Sequence, residues 1–235
     1  RNRRMSVRYA VYFSPERTAL ARFGAQTLGI DIHRQAAAVE QFALNAVSIA
    51  DFETLTAKAR SYGFHATLKA PFRLSSDQTE AELLDFFRAF CANATPALLP
   101  QTSVQNLHGF LSIMPAVQPD RLLRLERAVV SAFEPFRAPL TASEVDRRQP
   151  ELLSERQRQH LDQFGYPFVF DDFRFHMTLT GRLTGGAADM ALHAELQDLY
   201  ARLVPEADHP LDSLTLATQP TPSAPFTALM TCTLG

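Results

Sequence analysis

The chain has no tryptophan and only two cysteines in 235 residues. Cys91 and Cys232 belong to no paired-cysteine motif, which excludes a disulfide framework, and both read as reduced core residues of a cytoplasmic protein. No apolar run approaches the roughly 20 residues that span a bilayer. The basic start, Arg1 to Arg4, is not followed by the apolar core of a secretory signal. Met5 reads as the native start and residues 1–4 as an upstream remnant. Neither sign of charge is in excess, since 23 Lys and Arg face 25 Asp and Glu for a formal net charge of -2. A surface for long nucleic acid draws on clustered cations and is not expected, whereas a small anion held by a few local cations is compatible. No grouping of His, Cys and acidic residues has the spacing of a zinc site, so neither a metal nor another cofactor is expected. What the chain does have is apolar residues, 46% of the total. That is enough for a core that needs no metal or disulfide.

The run Arg8 to Phe13 is aromatic and β-branched and predicts a strand. Ser14-Pro15-Glu16 supplies an N-cap, a proline for the first helical position and an early acid, predicting a helix to about Leu28 that Gly29 ends. Residues 30–50 are weakly periodic and read as loop, with helix not excluded, before a short helix over 51–60. After a strand closed by Pro71, Asp77 with Glu80 has the form of a capping box. Leu83, Leu84, Phe86, Phe87 and Phe90 then recur at helical spacing over 81–94, as core rather than ligand contacts. Strands are predicted over 102–107 and 110–117 around a His108-Gly109 turn, followed by a helix over 121–133. From 135 to 172, prolines punctuate two short helical stretches, the second capped by Ser154 with Gln157. This region reads as an insertion, either surface packing or a substrate lid. A helix over 187–203 and strands over 212–218 and 226–234 complete the chain.

One short pattern occurs twice. Phe64-His65-Ala66-Thr67-Leu68 and Phe175-His176-Met177-Thr178-Leu179 both read Phe-His-x-Thr-Leu, and both lie where polar and apolar residues alternate as on a half-buried strand. Alternation puts His65, Thr67 and Lys69 on one face and Phe64, Ala66 and Leu68 on the other. In the second copy Arg174, His176, Thr178, Thr180 and Arg182 share a face. The elements around the copies repeat coarsely, so an approximate twofold would bring the two polar faces together across a cleft.

A lone His-x-Thr is more often structural. Two copies in opposite halves point to function, because one imidazole can take a proton from water while the other gives one to a leaving oxygen. The hydroxyl two residues on can donate to a phosphoryl oxygen. Facing pairs suit in-line displacement at phosphorus. Lys69 and Arg174 are candidate phosphate-neutralising cations, and Tyr62 a candidate for the cleft wall.

On these paired motifs the chain resembles the two-histidine (2H) phosphoesterases. Arg8 to Phe13, Tyr62 to Phe72, Phe136 to Thr141 and Phe173 to Gly181 are similar to a branch associated with bacterial phosphonate metabolism. The resemblance implies an α+β fold, a single bilobal pseudo-twofold domain over 5–235 with two antiparallel sheets facing a central cleft and helices outside. It also implies metal-independent phosphodiester hydrolysis. His65 and His176 become the acid-base pair, with either able to be the base, and Thr67 and Thr178 the phosphate donors. The implied substrate is a small cyclic phosphate ester, with a ribosyl 1,2-cyclic phosphate, including its 5-phosphorylated form, as the candidate. An RNA 2',3'-cyclic phosphodiesterase and a noncatalytic module that binds nucleotides or RNA ends are the alternatives.

Overall fold

The computed structural model describes residues 7–235, and the expected start at Met5 lies outside the described residues. β1 (Arg8–Phe13) leads to α1 (Ala19–Leu28), a small hairpin of β2 (Ile30–Asp31) and β3 (Ala37–Ala38), and α2 (Ile49–Arg60). β4 (Ala66–Phe72) carries the first motif and is followed by α3 (Glu80–Asn93), β5 (Ala97–Leu99), β6 (Ser103–Leu107), β7 (Phe110–Met114) and α4 (Asp120–Ala132). The short helices α5 (Ala142–Asp146) and α6 (Glu155–Phe164) precede β8 (Met177–Arg182), the second motif strand. α7 (Ala187–Leu203), β9 (His209–Leu211), β10 (Ser213–Gln219) and β11 (Thr227–Thr233) end the chain.

The main sheet is antiparallel, in the order β11-β10-β1-β4-β8-β7-β6. The α+β class is as expected. The two expected sheets are the wings of this one sheet, β11-β10-β1-β4 and β8-β7-β6. A single residue pair, Ala66 with Met177, joins them. One face of both wings is apolar: Tyr9, Val11 and Phe13 of β1, Leu111 and Ile113 of β7, Met177 and Leu179 of β8, and Leu214 and Leu216 of β10 share one core with the helices. On the other face Ala10, Tyr12, Ala217 and Phe226 form a small cluster against which Tyr62 packs. The phenylalanines of the motifs, Phe64 and Phe175, are both buried in the main core. Each such burial stabilises by roughly 1.5–3 kcal/mol and so fixes the backbone of the histidine that follows.

Several local expectations shift. Thr18, not Ser14, caps α1, and Thr79 with Glu82 forms the capping box of α3 in place of Asp77 with Glu80. Ser14 is buried instead, donating to Phe64 O at 2.9 Å and lying 3.0 Å from His33 Nε2, so a tertiary contact overrides its capping propensity. Pro71 does not close β4, which runs to Phe72. The pairing of β5 with β9 was not foreseen, since segments of three residues carry too little periodicity. Ser154 and Gln157 do form the capping box of α6, and Gly29 ends α1 in the left-handed conformation.

Candidate active site

Ala66 and Met177 point into the core, so the residues beside them in each strand point the other way. That pair is the one registered contact between the two motif strands, and alternation about it turns His65 and Thr67, and His176 and Thr178, to the face away from the core. One junction thus places both histidines and both threonines on the same face. The ladder is not continued on either side of this pair. All four residues are half-buried.

The two imidazoles are held alike. His65 Nδ1 lies 2.8 Å from Gly63 O, and His176 Nδ1 lies 2.6 Å from Arg174 O. A backbone carbonyl can only accept, so Nδ1 carries a hydrogen in both rings and Nε2 is left to exchange protons. His65 Nε2 sits 3.1 Å from Thr67 Oγ1. Gly63 turns its carbonyl toward the ring from a left-handed conformation, φ +73°, and a Cβ there would stand 1.9 Å from Ile32 Cγ2. Helix α1 makes room in turn: the Phe64 ring lies where a Cβ on Gly24 would be. Burial drives the His65 pKa down to about 4, opposed by the Gly63 carbonyl and pushed lower by charge on His176. Burial also lowers His176, against the Arg174 carbonyl.

Around His65 stands an aromatic wall. Tyr12 lies against the imidazole with ring centroids 3.9 Å apart, and Tyr62 stacks on it at 6.2 Å and on Phe226 at 5.4 Å. Tyr62 thus stands beside His65. Two buried hydroxyls, Tyr12 Oη and Ser112 Oγ, have no hydrogen-bond partner among the described residues. Tyr12 is in register with Thr67 and Ser112 with Thr178, so each orphan flanks one threonine.

The alternation expected beyond the threonines does not hold. Bulges in β4 put Lys69 opposite Val11, on the core face, where it is 2% exposed and pairs with Glu134 at 2.5 Å. It is not a cleft cation. β8 is bulged beyond Thr178, and Thr180 turns inward to accept from Leu111 N at 3.0 Å. Arg174 is exposed, its guanidinium on Phe173 O at 2.7 Å and Asp171 O at 3.4 Å. Arg182 is exposed at the far end of β8, beside Gly109. Gln118, which sequence reading missed, clamps the second motif by accepting from Phe175 N at 2.5 Å and donating to Phe173 O at 3.3 Å. Nothing local marks it, since it lies 57 residues away. Among the described residues no group of three or more His, Cys, Asp or Glu could hold a metal ion, and no helix is long and apolar enough to cross a membrane.

Residues 67–227 match the protein family described as a protein of unknown function (DUF1045). Ribose 1,5-bisphosphate phosphokinase PhnN of Janthinobacterium sp. (strain Marseille) is 37% identical over 225 residues, covering 93% of this chain and 49% of that protein. The protein of the same name from Laribacter hongkongensis (strain HLHK9) is 29% identical, covering 94% and 50%. The chain thus spans about half the length of the curated relatives it matches. Among solved structures, E. coli LigT complexed with NADP+ aligns with a TM-score of 0.43 at 12% identity, over 97% of this chain and 98% of that one.

Proposed function

The chain belongs to the DUF1045 family, whose description assigns no activity, and we propose that it is a metal-independent phosphodiesterase that opens a small cyclic phosphate ester by two-histidine acid-base catalysis. The observation that supports this reading is the pairing of the two motif strands at Ala66 and Met177, next to two histidines whose Nδ1 atoms both lie on backbone carbonyls. Phosphorus held between the pairs has a proton acceptor and a proton donor available at Nε2. His65, the more strongly lowered of the two, is the base: it takes a proton from water as the water oxygen bonds to phosphorus. The bond from phosphorus to the ring oxygen of the ester breaks, and His176 gives that oxygen its proton. The hydroxyls of Thr67 and Thr178 donate to the non-bridging oxygens.

For the substrate we favour a ribosyl 1,2-cyclic phosphate, in phosphonate catabolism and in the cytoplasm, on the resemblance of the four segments. The relatives' name supports a ribose phosphate, since it specifies ribose 1,5-bisphosphate for those proteins. Phosphorus NMR of the protein with this ester and with 2',3'-cyclic nucleotides, in chelator, is expected to show the ribosyl ester converted to a monoester. Loss of neither ester would sink the proposal.

The pH profile is a second check. Turnover needs one histidine neutral and one protonated, and both pKa values lie below the ordinary 6.5. The singly protonated pair therefore peaks below pH 6.5 in the free protein. We expect a bell in kcat/KM that falls near pH 4 as His65 gains a proton, and falls again on the alkaline side as His176 loses one. A flat profile from pH 5 to 9 contradicts it.

A further inference from the structure

β7 lies inside its wing, between β6 and β8. Leu111 and Ile113 of this strand go to the core, so Ser112 between them goes to the opposite face, the one that carries the histidines. Ser112 is 0% exposed, and its Oγ has no hydrogen-bond partner among the described residues. A hydroxyl shut off from water with nothing to bond is costly, and alanine would fill the same place without that cost. Its neighbour in β6, Gln105, does not meet it: the Gln105 amide donates to Ser103 Oγ at 3.2 Å and to Met114 O at 3.3 Å.

On the other side Ser112 stands opposite Thr178 of β8. The next pair along, Ile113 with Met177, is in register too, so no bulge separates them there. Directly opposed residues carry their Cβ atoms about 4.5–5.5 Å apart, the spacing of a cross-strand hydroxyl pair. The same sheet holds such a pair: Thr215 and Thr231 face one another across β10 and β11 with their hydroxyls 3.0 Å apart. The register that bonds those two hydroxyls is the register of Ser112 and Thr178, and a turn of Ser112 about χ1 is the movement that closes the gap.

The two motif threonines are held differently. Thr67 Oγ1 lies 3.1 Å from His65 Nε2, which orients its hydroxyl. His176 is bonded at Nδ1, to Arg174 O, and among the described residues it makes no such bond to Thr178. Tyr12, the other orphan, does not play the part of Ser112 at Thr67, because its hydroxyl is carried to the far end of a ring that lies on His65.

We propose that Ser112 is a positioning residue for Thr178, its hydroxyl donating to Thr178 Oγ1 when that threonine donates to a phosphoryl oxygen. This rests on the phosphodiesterase reading and adds to that site a residue outside both His-x-Thr motifs. A threonine oxygen can accept while its hydrogen is given away, so the two bonds run in one direction and strengthen each other. No proton is transferred along them. A donor that is unmet in the free protein and met in the complex puts its free energy into holding the charge that builds on the phosphoryl oxygen.

Ser112→Ala is expected to lower kcat/KM for the ribosyl cyclic ester about three- to tenfold, the worth of one net hydrogen bond. Its Tm should be unchanged or higher, since an unmet buried hydroxyl is gone, whereas a hydroxyl that merely supports the sheet would lower Tm on removal. In a Thr178→Val background, or Thr178→Ala if the valine variant does not fold, Ser112→Ala should have no further effect, because it acts through the threonine hydroxyl. Unchanged turnover in Ser112→Ala, a lowered Tm, or an equal loss in the Thr178→Val background overturns the proposal. Calorimetry with inorganic phosphate makes the same comparison without turnover, and Ser112→Ala is expected to weaken phosphate binding about three- to tenfold when Thr178 is present and not when it is replaced. This coupling without turnover of any ester defeats the phosphodiesterase reading and leaves the Ser112–Thr178 pair. Turnover without coupling in either measurement defeats the pair and leaves that reading, and a protein with neither turnover nor phosphate binding defeats both.

Discussion

Replacing either His65 or His176 with alanine is expected to lower kcat by about 10²- to 10⁴-fold while substrate still binds. The argument is geometric. Each imidazole is tethered through Nδ1 to the carbonyl two residues before it, so Nε2 is the only nitrogen free to move a proton. A carbonyl accepts from the neutral and from the protonated ring, so the tether survives each proton transfer. The two residues serve one displacement, so the double variant should be about as slow as the slower single one rather than slower by the product. Their pH behaviour should differ: His65→Ala removes the limb near pH 4, and His176→Ala the alkaline one. His65→Ala also withdraws a ring from between Tyr12 and Tyr62, so thermal unfolding must accompany its kinetics. If both variants remain folded and turn over at the wild-type rate, the acid-base assignment is wrong. Loss of binding together with turnover would instead make the histidines ligands for phosphate.

The parts of this site that were legible in the sequence are those that local alternation carries. Phe64, His65, Ala66 and Thr67 sort between faces as a strand should, and so do their counterparts from Phe175 to Thr178, because the motif lies before any irregularity in its strand. One residue past Leu68 the reading fails. A bulge is a property of two paired strands, and nothing in Leu68-Lys69-Ala70 announces that β1 presents only Val11 opposite it. Tyr12 could have been placed from the alternation of β1 had its pairing with Thr67 been known. Ser14 failed for another reason: a good capping residue was claimed by a tertiary acceptor, Phe64 O, 50 positions later. The near-division of the sheet at a single pair is likewise a matter of tertiary geometry.

The misplacement of Lys69 leads to the largest expected effect on stability. Lys69 Nζ donates to Val130 O at 3.2 Å and pairs with Glu134, and Glu134 is shared with Arg137 at 2.6 Å. The lysine side chain is 3% exposed and the glutamate 25%. Burial lowers the lysine pKa, and Glu134 is the main group that opposes it. Glu134→Gln leaves a buried ammonium beside a neutral amide and should cost about 3 kcal/mol, at the lower end for a buried pair because the glutamate is partly wet. For a chain of this size that corresponds to a fall of about 6–12 °C in Tm. Glu126 does not take over: burial raises its carboxyl to about 7, so near neutral pH it carries only part of a charge. Lys69→Met should be far milder, within about 1 kcal/mol, since it removes the buried charge, fills the space with apolar atoms and leaves Glu134 its pair with Arg137. The double variant should be more stable than Glu134→Gln alone. Lys69→Met should also retain turnover, because the side chain lies behind the sheet and not in the cleft. A folded Lys69→Met protein that had lost activity would return the lysine to the phosphate, and with it the regular strand that the bulge interrupts.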